Sequence, residues 1–400
     1  MAQTSAARQR VASEPEDRLS SLPDALLHTI MSFLKARQAV QTCVLSRRWV
    51  DLWRTMPCLD IDQRELSGNA ADSIYSKMED DPKFMAFVDN LLKFYEAQSV
   101  DTFRFHASDH SGLRRTIDNP WIRRGIECRP AVLEICYPST SYELPHLGSS
   151  SCRLKRMHLT TIYLDKNFTM QLRSGCPVLE DLELDRCRIA YPKIMSCTLK
   201  NLVINDCKTH FGHVLTVATG ALVSFQLAIT AYVWHGIVVS EMPFLVKASI
   251  CLRYHPCGCT WREGSCKLLH SLINVRNLNL SGSKTLSILH EGSDTFPRFP
   301  NLRTLLFEGC DLSHNFQIVG PSLERLTLQY CKLGEDSMKR QRREYRKTTS
   351  LECQNILTLE CPDLKWTEIK YKEGDLQQLF DLLSGSWRNL QESRIVLTKA

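Results

Sequence analysis

The sequence predicts an α/β protein: a small N-terminal unit of three helices followed by stacked β-α units that form a horseshoe solenoid. Three observations carry this. Residues 19–53, LSSLPDALLHTIMSFLKARQAVQTCVLSRRWVDLW, hold three apolar helical stripes with almost nothing between them. Four strings, LEDLELDRC from Leu179, LKNLVINDC from Leu199, LRTLLFEGC from Leu302 and LERLTLQYC from Leu323, follow one template, L-x-x-L-x-L-x-x-C. Looser copies begin at Val100, Pro130, Leu154, Leu222, Leu245, Val275 and Gln354, and successive starts lie 20 to 31 residues apart.

Composition bounds the problem. A chain of 400 residues with 43% hydrophobic content is that of a packed protein, not a disordered one. The N-terminal MAQTSAARQRVASEPEDR, residues 1–17 of which read as disordered, has no apolar core of a secretory signal, so the expected location is nucleus and/or cytoplasm. The 17 cysteines are accordingly read as reduced, mostly buried thiols. Between Lys208 and Glu241 there is no Asp, Glu, Lys or Arg, but the alternation in LVSFQLAI suits strands better than a membrane span.

In the helical unit, 18–60, Ser21 and Asp24 fit a capping box and Pro23 a first helical turn. Leu22, Leu26, Ile30 and Phe33 form the first stripe, Val40, Cys43 and Val44 the second, and Trp49, Leu52, Trp53 and Met56 the third. So small a bundle rarely hides this many large apolar groups, which implies burial against another protein. Residues 61–98 read as a linker and capping helix, and 99–333 as the leucine-rich repeats.

The repeat spacing has a physical cause. One short strand cannot bury its alternate leucines, whereas strand stacked on strand closes a core. The Cys slot calls for a small side chain that tolerates burial, which accounts for Cys187, Cys207, Cys310 and Cys331 without redox chemistry. A basic loop over 334–350 concentrates Lys339, Arg340, Arg342, Arg343, Arg346 and Lys347 against Glu344 alone; it reads as a solvated insertion, a nuclear-import signal or a phosphate-binding patch. Residues 351–400 supply a last repeat and a cap of helix and strand, RIVLT.

The opening DRLSSLPDALLHTIMSFLKARQAVQTCVLSRRWVDLW resembles an F-box as found in plant F-box and leucine-rich-repeat proteins, its LPD and VLSRRW segments being the most specific parts. FMAFVDNLLKFY, NPWIRRGIE, CKLLHSLINVRNLNL and CPDLKWTEIKY are also similar to segments of that family. The resemblance implies a substrate receptor of a cullin-RING ubiquitin ligase, with the F-box docked on a Skp-type adaptor and, through it, a cullin scaffold. By the same resemblance, Leu22, Pro23, Leu26, Ile30, Val44, Leu45, Trp49 and Trp53 would contact the adaptor.

The residues flanking the inward leucines make a concave face for an unknown protein target. They include His158, Asp181, Glu183, Asp185, Asn201, Asn205, Asn277, Asn279, Glu308, Arg325 and Gln329, a varied surface of no single charge sign. No dedicated nucleic-acid face is evident. No nucleotide loop, zincin motif or nucleophile elbow occurs, so no enzyme and no cofactor are expected. Cys251, His255, Cys257, Cys259 and Cys266 lie close in sequence but lack paired zinc knuckles, and Cys207 with His210 and His213 is a weaker set, so no metal is expected. The other reading is a leucine-rich-repeat interaction scaffold that degrades nothing.

Overall fold

The structure is a computed structural model. It describes residues 19, 21–65, 82–107, 120–138, 140, 142–209, 213–230, 236–240, 242–253, 265–283, 285–290, 297–312, 316–332, 357–371 and 394–399. The basic run at 339–347, the helix expected before the last strand, and His210, His255, Cys257 and Cys259 lie outside the described residues.

Three short helices open the chain: α1 (Asp24–Met31), α2 (Ala36–Gln41) and α3 (Arg47–Thr55). Pro23, and not Ser21, is the N-cap of α1, at φ −63° and with no side-chain cap bond of its own. Asp24 in the first turn complements the positive helix end. It also accepts a 2.9 Å bond from Arg48 Nε, while Arg48 Nη2 donates to the Leu22 carbonyl at 2.6 Å. The LPD opening and the VLSRRW turn are thus halves of one contact.

Core and surface divide these helices sharply. Leu27, Met31, Ala36, Ala39, Trp49, Leu52, Trp53 and Met56 are buried in a cluster continuous with the repeat core. Two further helices, α4 (Pro82–Phe94) and α5 (Pro120–Glu127), cover the start of the sheet through Phe84, Val88, Trp121 and Ile122.

Thirteen parallel strands form one sheet in chain order. They are β1 (Cys58–Asp62), β2 (Thr102–His106), β3 (Val132–Cys136), β4 (Arg156–Thr160), β5 (Asp181–Asp185), β6 (Asn201–Asn205), β7 (Ser224–Thr230), β8 (Lys247–Arg253), β9 (Asn277–Ser281), β10 (Thr304–Glu308), β11 (Arg325–Gln329), β12 (Trp366–Tyr371) and β13 (Arg394–Lys399). Parallel neighbours in sequence order are what a stack of β-α units produces. The register aligns Leu182, Leu202 and Phe225 in one inward row and Leu184, Ile204 and Leu227 in the next, all buried.

Two boundaries differ from the sequence reading. The sheet begins at Cys58, not near 99, because CLDID directly follows the third helix and pairs with β2. The copy expected at Gln354 supplies Leu357–Glu360, which pairs off the main sheet with Phe316–Val319; β12 takes the place in the sheet. The charge-free stretch forms strands Val214–Ala218, β7 and Gly236–Val239. Among the described residues no helix is long and apolar enough to cross a membrane.

Six of the repeats turn the same corner. Thr161, Arg186, Asp206, Gly282, Gly309 and Tyr330, the residues just after their strands, have positive φ. That geometry lets the turn donate its N–H forward, as from Arg186 to Asn205 O at 2.7 Å and from Gly309 to Gln329 O at 2.7 Å. The cysteine that follows donates its thiol backward to the preceding strand: Cys187 to Leu159 O at 3.2 Å, Cys207 to Leu184 O at 3.3 Å, Cys310 to Leu280 O at 3.1 Å and Cys331 to Phe307 O at 3.4 Å. Burial pushes the Cys207 and Cys310 thiols up and Cys331 to about 11, so they stay protonated donors.

Candidate functional site

Two surfaces stand out, one at each level of the fold. On the helical unit Leu26, Ile30, Phe33, Val44 and Leu45 are exposed although all are large and apolar, Phe33 to 84% and Val44 to 83%. Leu26 and Ile30 are one helical turn apart on α1, and Val44 and Leu45 sit on the 3-10 turn Thr42–Val44 and the residue after it. Large apolar side chains left exposed in this number are a feature of surfaces that another protein covers.

The open face of the sheet carries the second. Around β4 to β6 its charges are mutually paired: Arg156 with Asp181 at 2.8 Å, His158 with Glu183 at 3.7 Å, and Arg186 with Asp185 at 3.0 Å. Asn205 Nδ2 donates to Asp185 at 2.7 Å, Asn201 to Asp181, and Arg253 pairs with Asp206. The Arg156–Asp181, His158–Glu183, Asn201–Asp181 and Asn205–Asp185 contacts link one repeat to the next as rungs. Nearer the N-terminus, Arg104 bonds Glu134 at 2.9 Å and faces Asp60 at 3.7 Å. Burial lifts the Asp60 carboxyl above its ordinary value against the pull of Arg104, and burial lowers His106 despite the nearby Asp60.

Residues 19–60 match the F-box domain family. The chain is 32% identical to the MEIOTIC F-BOX protein MOF of Oryza sativa subsp. japonica, over 90% of this chain and 81% of that one. It belongs to the plant F-box/leucine-rich-repeat family. An F-box/LRR-repeat protein of Arabidopsis thaliana is 29% identical over 73% of this chain and 67% of its own length. A putative F-box/FBD/LRR-repeat protein of Arabidopsis thaliana is 27% identical over 90% and 87%. No solved structure matches the chain.

Within the F-box, the expected adaptor contacts separate into two groups. Pro23, Leu26, Ile30, Val44 and Leu45 are exposed and Leu22 is half-buried. Trp49 and Trp53 are a correction: at 4% and 7% exposed they fill the F-box core. Their spacing of four is shared by core stripes and interface anchors, and the fold turns it inward. Phe33, which belonged to the first stripe but not to the expected contacts, is the most exposed of the set.

On the repeats, His158, Asp181, Glu183, Asp185, Asn201, Asn205, Asn277, Asn279, Glu308, Arg325 and Gln329 all fall at outward positions of β4 to β11. Several are occupied in the rungs above. Among the described residues no group of three or more His, Cys, Asp or Glu is placed to hold a metal.

F-box and repeats are joined without a spacer. Asp62 closes β1 with its side chain fully buried, pairs with Lys35 ahead of α2, and accepts 2.7 and 2.9 Å bonds from Arg64. Burial alone would raise this carboxyl; the Arg64 and Lys35 bonds outweigh it and hold it well below the usual carboxylate range. Tyr95 Oη donates to Met56 O at 2.6 Å in the same buried junction.

Proposed function

We propose that this chain is the substrate-recognition subunit of an SCF-type cullin-RING E3 ubiquitin ligase. Its F-box binds a Skp-type adaptor, and through it the cullin scaffold, while its repeats bind the protein to be modified. One observation carries this reading: within the residues that match the F-box, Leu26, Ile30, Phe33, Val44 and Leu45 stay outside the core. Burying them against a partner removes apolar area from water, the main driving force of association.

No bond is made or broken by this chain in the proposed role. It raises the local concentration of a target lysine near an activated thioester held by another subunit, and proximity of that kind replaces a bimolecular encounter by an effectively unimolecular one.

The test is co-expression of the full chain with a Skp-type adaptor and a cullin, read as a stoichiometric complex by size exclusion. Leu26→Asp/Val44→Asp should leave the complex while keeping its circular dichroism and melting temperature. An intact chain that elutes alone, or a folded double variant that still assembles, overturns the proposal. Adaptor binding without cullin recruitment supports the scaffold reading instead.

A further inference from the structure

Charge on the open face is segregated in a way that only the register reveals. Along the N-terminal edge of β8 to β13 basic side chains come from two adjacent register rows: Lys247, Arg325 and Arg394 align with Asn277, Thr304 and Trp366, while Arg276, Arg303 and Lys365 stand one residue earlier, with Glu324 between the last two. All six are exposed. The backbone places them side by side, since Arg303 N–H bonds Arg276 O at 2.8 Å, Arg325 N–H bonds Arg303 O at 2.9 Å, and Arg394 N–H bonds Lys365 O at 2.9 Å.

Unlike the rungs of β4 to β6, these cations are largely uncompensated. Lys365 approaches Glu324 at 3.5 Å, and among the described residues the other five have no carboxylate partner. Arg325 and Arg394 instead flank Trp366, in register with it, their guanidinium carbons 5.7 and 5.1 Å from the ring centroid. Cation–π contact restrains both guanidiniums, so less freedom is lost when they bind an anion. Just inside this edge, the buried side-chain oxygen of Asn279 has no partner.

We propose that the N-terminal edge of β8 to β13 binds an extended Asp/Glu-rich segment of the target protein. This rests on the reading of the repeats as the target-binding part. Six strands about 4.8 Å apart span roughly 24 Å, which an extended segment of about seven residues covers. Arginine forks take carboxylates in bidentate fashion. A nucleic acid fits less well, since the Trp366 ring already carries two guanidiniums and is not open for a base to stack on.

The experiment uses the full chain in complex with the adaptor and a fluorescein-labelled twelve-residue peptide of Glu and Gly, read by anisotropy. The Glu peptide should bind, lose affinity as salt rises, and weaken by at least about tenfold with Arg276→Glu/Arg303→Glu. Arg325→Glu/Arg394→Glu should act likewise, with adaptor binding unchanged in both. Equal binding of the peptide with Gln for Glu, tighter binding of a single-stranded RNA twelve-mer, binding of a phosphoserine peptide alone, or indifference to both reversals overturns the proposal. Failure of the wild-type chain to bind the adaptor overturns the ligase reading instead.

Discussion

Replacing Phe33 by Ala separates contact from core more cleanly than any other change in the F-box. The side chain is 84% exposed, so of roughly 200 Å² for an aromatic residue about 170 Å² is open to a partner. At about 25 cal/mol per Å² its full burial contributes about 4 kcal/mol, and Ala keeps roughly a quarter of that. The loss is then about 3 kcal/mol, on the order of 150-fold in Kd. Calorimetric titration of purified adaptor into each variant measures it, and the melting temperature should stay within about a degree because Phe33 supports nothing in the core. Trp49→Ala is the contrast: buried at 4%, it should cost about 3–5 kcal/mol of stability. A folded Phe33→Ala variant that binds within twofold of the parent would refute the assignment of this face to the adaptor.

Asp62→Asn should destabilise the junction by about 1–2 kcal/mol at pH 7, since it weakens the charge-assisted bonds from Lys35 and Arg64, both of which stay partly open to solvent. Because folding depresses the Asp62 pKa, that contribution is complete above the unfolded value of about 3.9 and is lost as pH falls further; urea melts across pH 3–7 should show parent and variant converging at the acid end. Gly125→Ala should lower the urea midpoint, because a Cβ at this position of α5 would strike the Phe103 ring of β2. Thr161→Gly should raise it or leave it unchanged: Thr161 sits at φ 59°, where a β-branched residue is strained by about 1–2 kcal/mol. Cys187→Val should cost about 1–3 kcal/mol in the same melts, because the Leu159 carbonyl loses its thiol donor.

The repeats were legible in the sequence because stacking leaves its own signature: an inward residue at every second strand position and a small buried donor at a fixed offset. Cys187 and Cys310 obey it, and the template found them. β1 was missed because CLDID is one strand long, carries two acids, and abuts the F-box with no turn signal. The Gln354 copy misled because a strand off the main sheet alternates just as one in it does. In α1 two apolar stripes lie one residue apart, Leu26 with Ile30 and Leu27 with Met31, and periodicity alone does not say which faces in. Trp49 and Trp53 show the same ambiguity resolved the other way. The division of the open face into a paired acidic zone and an unpaired basic edge was hidden for another reason: it is a property of register, which brings together side chains from strands twenty or more residues apart.

The buried carboxylate of Asp62 is where two jobs meet. Lys35 reaches it from the F-box and Arg64 from the chain just beyond β1, while β1 itself is the first rung of the sheet. The F-box and the first strand of the sheet therefore share one buried ionic contact. In the proposed role the chain would act as a gauge block, with a target seated on a given strand held at a set distance and bearing from the adaptor. Which of its lysines are within reach is decided by the number of repeats that separate the two grips.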